Sequence, residues 1–122
     1  MPQYFFDHIH LMSPDPVKTA EFYQKMFGAT LVSKHNLGDG RVIVNLELGG
    51  VTLLISKSTD DNAQTGLVHF GIRASDLGEA VDELKAKGVK FTKEITRVRP
   101  DFKMSFLLAP ENVPIELQEG SF

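Results

Sequence analysis

Residues 5–11 alternate with a period of two. Phe6, His8 and His10 fall on one face and Phe5, Asp7, Ile9 and Leu11 on the other, which predicts a strand ended by Ser13-Pro14-Asp15-Pro16. The period then changes. Asp15 offers an N-cap with Pro16 at the first helical position, and Val17, Ala20, Phe22, Tyr23 and Phe27 form an apolar helical stripe closed by Gly28. Extended patterns follow at residues 30–34, 41–48 and 51–56, separated by Gly38-Asp39-Gly40 and Gly49-Gly50. A polar stretch, 56–66, rich in Ser, Thr, Asp, Asn and Gln, reads as a connecting loop.

The same order then recurs: a strand at 67–73, a helix at 75–87 capped by Ser75 or Asp76 and stopped by Gly88, and strands at 89–93, 103–108 and 115–118. Residues 94–102 read as the longest connection. The repetition is quantitative. His8, Asp15, Ala20, Tyr23 and Gly28 match His69, Asp76, Val81, Leu84 and Gly88, with offsets of 7, 12 and 15 from each histidine and the glycine at 20 and 19. The expected fold class is therefore α+β, with two βαβββ modules forming a curved mixed sheet around a shared cavity, because each half buries one sheet face under its helix. Residues 1–122 are expected to form a single domain, with module one at about 1–57, a linker at about 58–65 and module two at about 66–122.

Composition narrows the chemistry. At 122 residues and 42% hydrophobic, the chain has enough apolar mass for a real core. A net charge of −3 without a like-charge block argues against nucleic acid or a membrane surface as partner. With zero cysteines, a transition-metal site must use imidazole and carboxylate. No basic segment followed by an apolar run opens the chain and no run reaches membrane-span length, so a cytoplasmic protein is expected.

The repeat histidines and a late carboxylate, Glu116 in Pro114-Ile115-Glu116-Leu117-Gln118, make a metal-ligand set of His8, His69 and Glu116. Three donors of this kind leave coordination positions open for substrate and water. Iron, manganese, nickel, zinc and magnesium all suit such donors, with iron or manganese ranked first. His10, two residues after His8 on the same face, is a candidate acid/base near the metal, with a hydrogen-bonded core histidine as the alternative.

Asp7-His8-Ile9-His10-Leu11, Ala20-Glu21-Phe22-Tyr23 and Phe27-Gly28 resemble the first module of the vicinal oxygen chelate (VOC) superfamily, which contains glyoxalase I, bleomycin-resistance and extradiol-dioxygenase proteins. Val68-His69-Phe70-Gly71-Ile72, Leu84, Gly88 and Ala109-Pro110-Glu111-Asn112-Val113-Pro114-Ile115-Glu116-Leu117 resemble the second module. The resemblance implies paired βαβββ modules, one divalent metal on His8, His69 and Glu116, and substrates that chelate it through adjacent oxygens. It also implies Asn45, Thr52, Met104 and Phe106 as cavity residues, the first two polar and the last two forming an apolar wall. A fourth ligand position, used by glyoxalases and methylmalonyl-CoA epimerases, aligns with Leu54, and leucine cannot bind metal.

The expected function is a divalent-metal-dependent enzyme acting on a small, partly hydrophobic organic substrate with vicinal oxygens. Its chemistry would be glyoxalase-like lyase or isomerase, or dioxygenase-type ring cleavage, with Glu116 and His10 as catalytic groups. The alternative is a non-catalytic small-molecule binder or antibiotic-resistance protein of the bleomycin or fosfomycin type. A homodimer is expected, as is common in the family. Arg97, Arg99 and Lys103 flank the 94–102 connection, where they could attract an anion across the cavity mouth, although solvated surface charge explains them better. His35, beside Asn36 in an expected turn, carries no functional reading, and the glycines match no phosphate-loop spacing.

Overall fold

The computed structural model describes residues 1–58, 60 and 62–122, so positions 59 and 61 of the expected linker lie outside the described residues. The chain forms two compact units, His8–Val68 and Met1–Asp7 with His69–Phe122. The fold is α+β, two βαβββ modules each with a mixed sheet and one helix.

The first unit holds the end of β1 (Tyr4–Met12), then α1 (Pro16–Phe27), β2 (Thr30–Asn36), β3 (Val42–Leu48), β4 (Val51–Ser56) and the first three residues of β5 (Gly66–Ala74). Helix α1 starts where expected. The Asp15 carboxylate accepts the Lys18 N–H at 3.1 Å, and Pro16 occupies the first turn without wasting a donor. It stops at Gly28, whose left-handed φ of 73° brings its N–H to the Gln24 carbonyl at 3.0 Å. The sheet runs β2-β3-β4-β1, antiparallel except for the parallel β1/β4 pair. Val44, Leu46, Leu53 and Ile55 turn inward under Ala20 with Ile9, Leu11 and Tyr23. Leu46 and Ile55 are fully buried, each contributing about 1.5–3 kcal/mol, and Leu46→Ala should cost about 2–5 kcal/mol. By the period of two, His8, His10, Thr52, Leu54, Ser56, Ile43 and Asn45 occupy the opposite face.

The second unit contains the start of β1, the rest of β5, α2 (Leu77–Ala86), β6 (Lys90–Arg99), β7 (Phe102–Ala109), a 3₁₀ turn (Pro110–Asn112) and β8 (Val113–Glu119). Residues of β1 are tied to β5 and its following turn. Phe6 stacks on Phe70 at 5.8 Å, and Gln3 and Ser75 exchange hydrogen bonds of 2.9 and 3.0 Å. Helix α2 is doubly capped: Asp76 accepts from the Glu79 N–H at 3.0 Å, and the Glu119 carboxylate accepts from the Leu77 N–H at 2.8 Å. Leu77, Ala80 and Val81 of α2 pack on Ala74, Leu107, Ile115 and Leu117. Strands β5 and β8 are parallel, β7 antiparallel to both β8 and β6.

One expectation fails here. The connection expected at 94–102 is strand as far as Arg99, followed by a tight turn at Pro100 and Asp101. Thr96 pairs with Met104 and Arg97 with Lys103, across three register shifts. The segment is exposed almost throughout, so it carries no alternation, and pairing to β7 rather than burial makes it a strand. Likewise His35 lies within β2, not in a turn, with its Nε2 at 3.0 Å from Ser33 Oγ. Among the described residues, no helix is long and apolar enough to cross a membrane.

Candidate metal and substrate site

In the unit His8–Val68, strand alternation sets His8 and His10 on the open face, opposite Thr52 and Leu54 of β4. His8 is 1% exposed. Its ring centroid lies 6.1 Å from that of His10, the planes inclined by 62°. His10 Nε2 is 2.6 Å from Ser56 Oγ, a short contact that fixes the ring. Asn45 of β3 stands opposite Leu54 and Thr52 opposite His8, so both implied polar residues share the histidine face. Ser56 was not singled out in the sequence. A serine at a strand end is unremarkable until the parallel β1/β4 register brings it beside His10.

In the other unit, His69 on β5 and Glu116 on β8 come together. His69 Nε2 is 3.6 Å from Glu116 Oε1, and Glu116 is buried, 8% exposed as a residue. Two donors held about 2.1 Å from one ion lie about 3–3.5 Å apart, so this nitrogen–oxygen pair fits a shared divalent ion with little adjustment. The donor chemistry fits as well: one imidazole and one carboxylate, with no thiolate to bias the site toward soft ions. Phe106 lies opposite Glu116 and meets the His69 ring edge to face at 5.2 Å and 87°. Met104 lies opposite Gln118, one row away. The apolar wall implied for Met104 and Phe106 is therefore on the Glu116 face.

A brace that the sequence did not reveal surrounds these strands. Gln118, fully buried, donates from Nε2 to Asp7 Oδ2 at 3.1 Å and to the Gly120 carbonyl at 3.0 Å. Ser121 Oγ donates to Asp7 Oδ1 at 2.6 Å, and Arg73 Nε lies 3.6 Å from the same oxygen. Asp7, Arg73, Gln118 and Ser121 all belong to this unit, so the network ties the start of β1 to β5 and to β8, the strands that carry His69 and Glu116.

Registers also locate the departure at Leu54. In each repeat the residue two beyond the histidine, His10 or Gly71, pairs with one residue of the last strand of the module. That partner is Leu54 in one module and Glu116 in the other. Leu54 is thus the structural counterpart of Glu116, and it is a buried hydrocarbon.

The cations expected to flank a loop serve the β6/β7 hairpin and the chain end. Arg97 Nη1 donates to the Pro100 carbonyl at 2.6 Å, and Arg99 Nη2 to the Ser121 carbonyl at 2.8 Å. Arg99 also stacks on Phe102 and Phe122, and Lys103 Nζ is 3.7 Å from Glu119. They brace strands, and solvated surface charge remains the better description of them.

Comparison with known proteins agrees with this architecture. A hypothetical protein from Bacillus halodurans superimposes with a TM-score of 0.81 at 20% identity, over 98% of this chain and 96% of that one. Methylmalonyl-CoA epimerase from Mycobacterium tuberculosis gives 0.77 at 22% identity, covering 96% and 88% of the two chains. A Streptomyces coelicolor methylmalonyl-CoA epimerase in complex with 2-nitronate-propionyl-CoA gives 0.75 at 20%, covering 96% and 97%. At these identities the likeness shows the fold alone. The sequence signature of the Glyoxalase/Bleomycin resistance protein/Dioxygenase superfamily matches residues 5–117, so the chain belongs to that superfamily.

Proposed function

We propose that this protein is a divalent-metal-dependent enzyme whose His8, His69 and Glu116 hold one ion and whose substrate is a small organic molecule with vicinal oxygens. The observation that carries the reading is the 3.6 Å approach of His69 Nε2 to Glu116 Oε1, a separation suited to two donors on one ion. Further support comes from the repeat, which puts His8 at the position of His69, and from membership of the superfamily. The reading takes residues 1–122 as one domain of two modules joined at about 58–65. When bound, the ion would polarise the substrate oxygens as a Lewis acid.

The remaining roles belong to this chain's side chains. His10, oriented by Ser56, moves a proton at its imidazole. Asn45 and Thr52 offer hydrogen bonds to the substrate, and Met104 and Phe106 supply an apolar wall that keeps water from it. Leu54 supplies no donor at the position equivalent to Glu116, which argues against a four-ligand glyoxalase or epimerase arrangement built on that position and leaves room for substrate oxygens. A homodimer belongs to the same reading: Phe22, Met26, Phe27, Leu31 and Val32 are all more than half exposed, an apolar area suited to a second copy. A monomeric mass by light scattering at micromolar concentration would exclude it.

The direct test is metal analysis of protein purified without a histidine tag. About one equivalent of a divalent metal is expected in the wild type, and under about a tenth in His8→Ala, His69→Ala and Glu116→Gln. A wild type holding under about a tenth, with no gain on reconstitution, would overturn the proposal. That outcome would favour the second reading, a metal-free small-molecule binder, which the hydrocarbon at Leu54 also suits.

A further inference from the structure

The open face of the first unit ends in a pocket of about 210 Å³ lined by Met12, Leu37, Arg41, Ile43, Ser56, Lys57 and Ser58. Its composition is divided. Arg41 and Lys57 bring two positive charges, Ser56 and Ser58 two hydroxyls, and Met12, Leu37 and Ile43 an apolar side. Among the described residues, neither Arg41 nor Lys57 has an acidic partner within ion-pair distance.

The backbone holds both cations at fixed places. Leu37 and Arg41 close a turn, with Leu37 N–H to the Arg41 carbonyl at 3.0 Å and Arg41 N–H to the Gly38 carbonyl at 2.9 Å. Gly38, Asp39 and Gly40 within it all have positive φ. Lys57 N–H donates to the Val42 carbonyl at 3.1 Å, extending the β3/β4 ladder by one rung beyond Ser56. Arg41 precedes Ile43 by two residues and so continues the face on which Ile43, Ser56 and Met12 lie.

We infer that this pocket binds an oxyanion, a phosphoryl or carboxylate group, borne on a short apolar stem at the far end of the substrate. The inference rests on the proposed metal-dependent reading for what happens at the other end. Along the strands, Arg41 lies six residues beyond the row of His8 and Thr52, about 20 Å at about 3.3 Å per residue. A group held by Arg41 sits beyond Ser56 and His10, away from the row of His8. It orients the substrate along the open face, with its apolar stem against Met12, Leu37 and Ile43. Ser56 connects the two regions, because it lines the pocket and holds His10 Nε2.

The test titrates the protein with n-butyl phosphate, butyrate, inorganic phosphate and n-butanol, followed by calorimetry and amide chemical shifts. At least one of the two stem-bearing anions is expected to bind saturably, tighter than both inorganic phosphate and n-butanol. The tighter of the two identifies the oxyanion. Arg41→Gln/Lys57→Gln should weaken it by about tenfold or more, and as both residues are exposed the fold should persist, which the amide spectrum checks. No saturable binding of either anion up to about 20 mM overturns the inference. So does unchanged affinity in the double variant, or binding of n-butanol or inorganic phosphate as tight as that of the better anion. Metal content, measured on the same samples, should be the same in the double variant and the wild type. Anion binding without metal would sink only the metal reading, and metal without anion binding only the pocket.

Discussion

Glu116→Gln separates a metal ligand from a structural carboxylate, because the two roles predict different dependence on metal. The substitution keeps volume and one carbonyl oxygen, and it removes a charge that is 8% exposed beside His69. In metal-free protein, relief from desolvating a carboxylate offsets the loss of its contacts, so stability should change by no more than about 1 kcal/mol. Metal at a hundred times its Kd stabilises the wild type by about 2.7 kcal/mol. For a chain of 122 residues this is about 8–12 °C in Tm. Losing one charged ligand should raise Kd by about a hundredfold or more, leaving about 0.4 kcal/mol, or 1–2 °C, at the same metal concentration. Differential scanning fluorimetry of chelator-treated protein, with and without each candidate ion, reads both numbers. Equal metal-induced shifts in wild type and variant would show that Glu116 is not a metal ligand. A loss of about 3 kcal/mol or more in the absence of metal would instead make Glu116 a structural partner.

Other consequences are independent of metal. Gly120 has φ +81° and an added Cβ would stand 2.1 Å from the Asp101 carbonyl oxygen, so Gly120→Ala should cost about 2–5 kcal/mol by urea unfolding; under about 1 kcal/mol would show that the chain end yields. Ser56→Ala should cost about 1 kcal/mol and change the His10 ring resonances while metal content stays the same; unaltered His10 resonances would contradict the positioning role. The Tyr4 phenol is pushed up to about 12, by desolvation first and then by its 2.7 Å hydrogen bond to Glu83 and the charges of Glu83 and Glu79. Because the folded-state value lies above the ordinary 10.0, the associated stability is intact below pH 10 and is lost as pH rises from 10 through 12. Tyr4→Phe should flatten that part of the pH profile, and an unchanged slope would discount the interaction.

Where burial and caps dictated structure, the sequence was readable. Asp15-Pro16 and Asp76 start the helices and Gly28 ends the first, while alternation across β1 set His8 and His10 on one face. The equivalence of Leu54 and Glu116, an alignment inference, is matched by the pairing of each with the residue two beyond its repeat histidine. Strand β6 was missed beyond its first residues because both its faces meet solvent and its neighbour alone decides its conformation. Long-range polar partners were out of reach for a different reason. Ser56 is 46 residues from His10 and Gln118 is 111 from Asp7, and only strand order joins them. Arg41 and Lys57, ordinary surface cations in the sequence, gained meaning from the turn and the end of the β3/β4 ladder that set them beside Ser56 in one pocket.

One divalent ion shared by His8, His69 and Glu116 would be located by anomalous diffraction at the metal absorption edge, from crystals of reconstituted untagged protein. A single peak within about 2.3 Å of one nitrogen from each histidine and one Glu116 oxygen is the predicted result. A peak coordinated elsewhere, or none at these side chains despite excess metal, would contradict it.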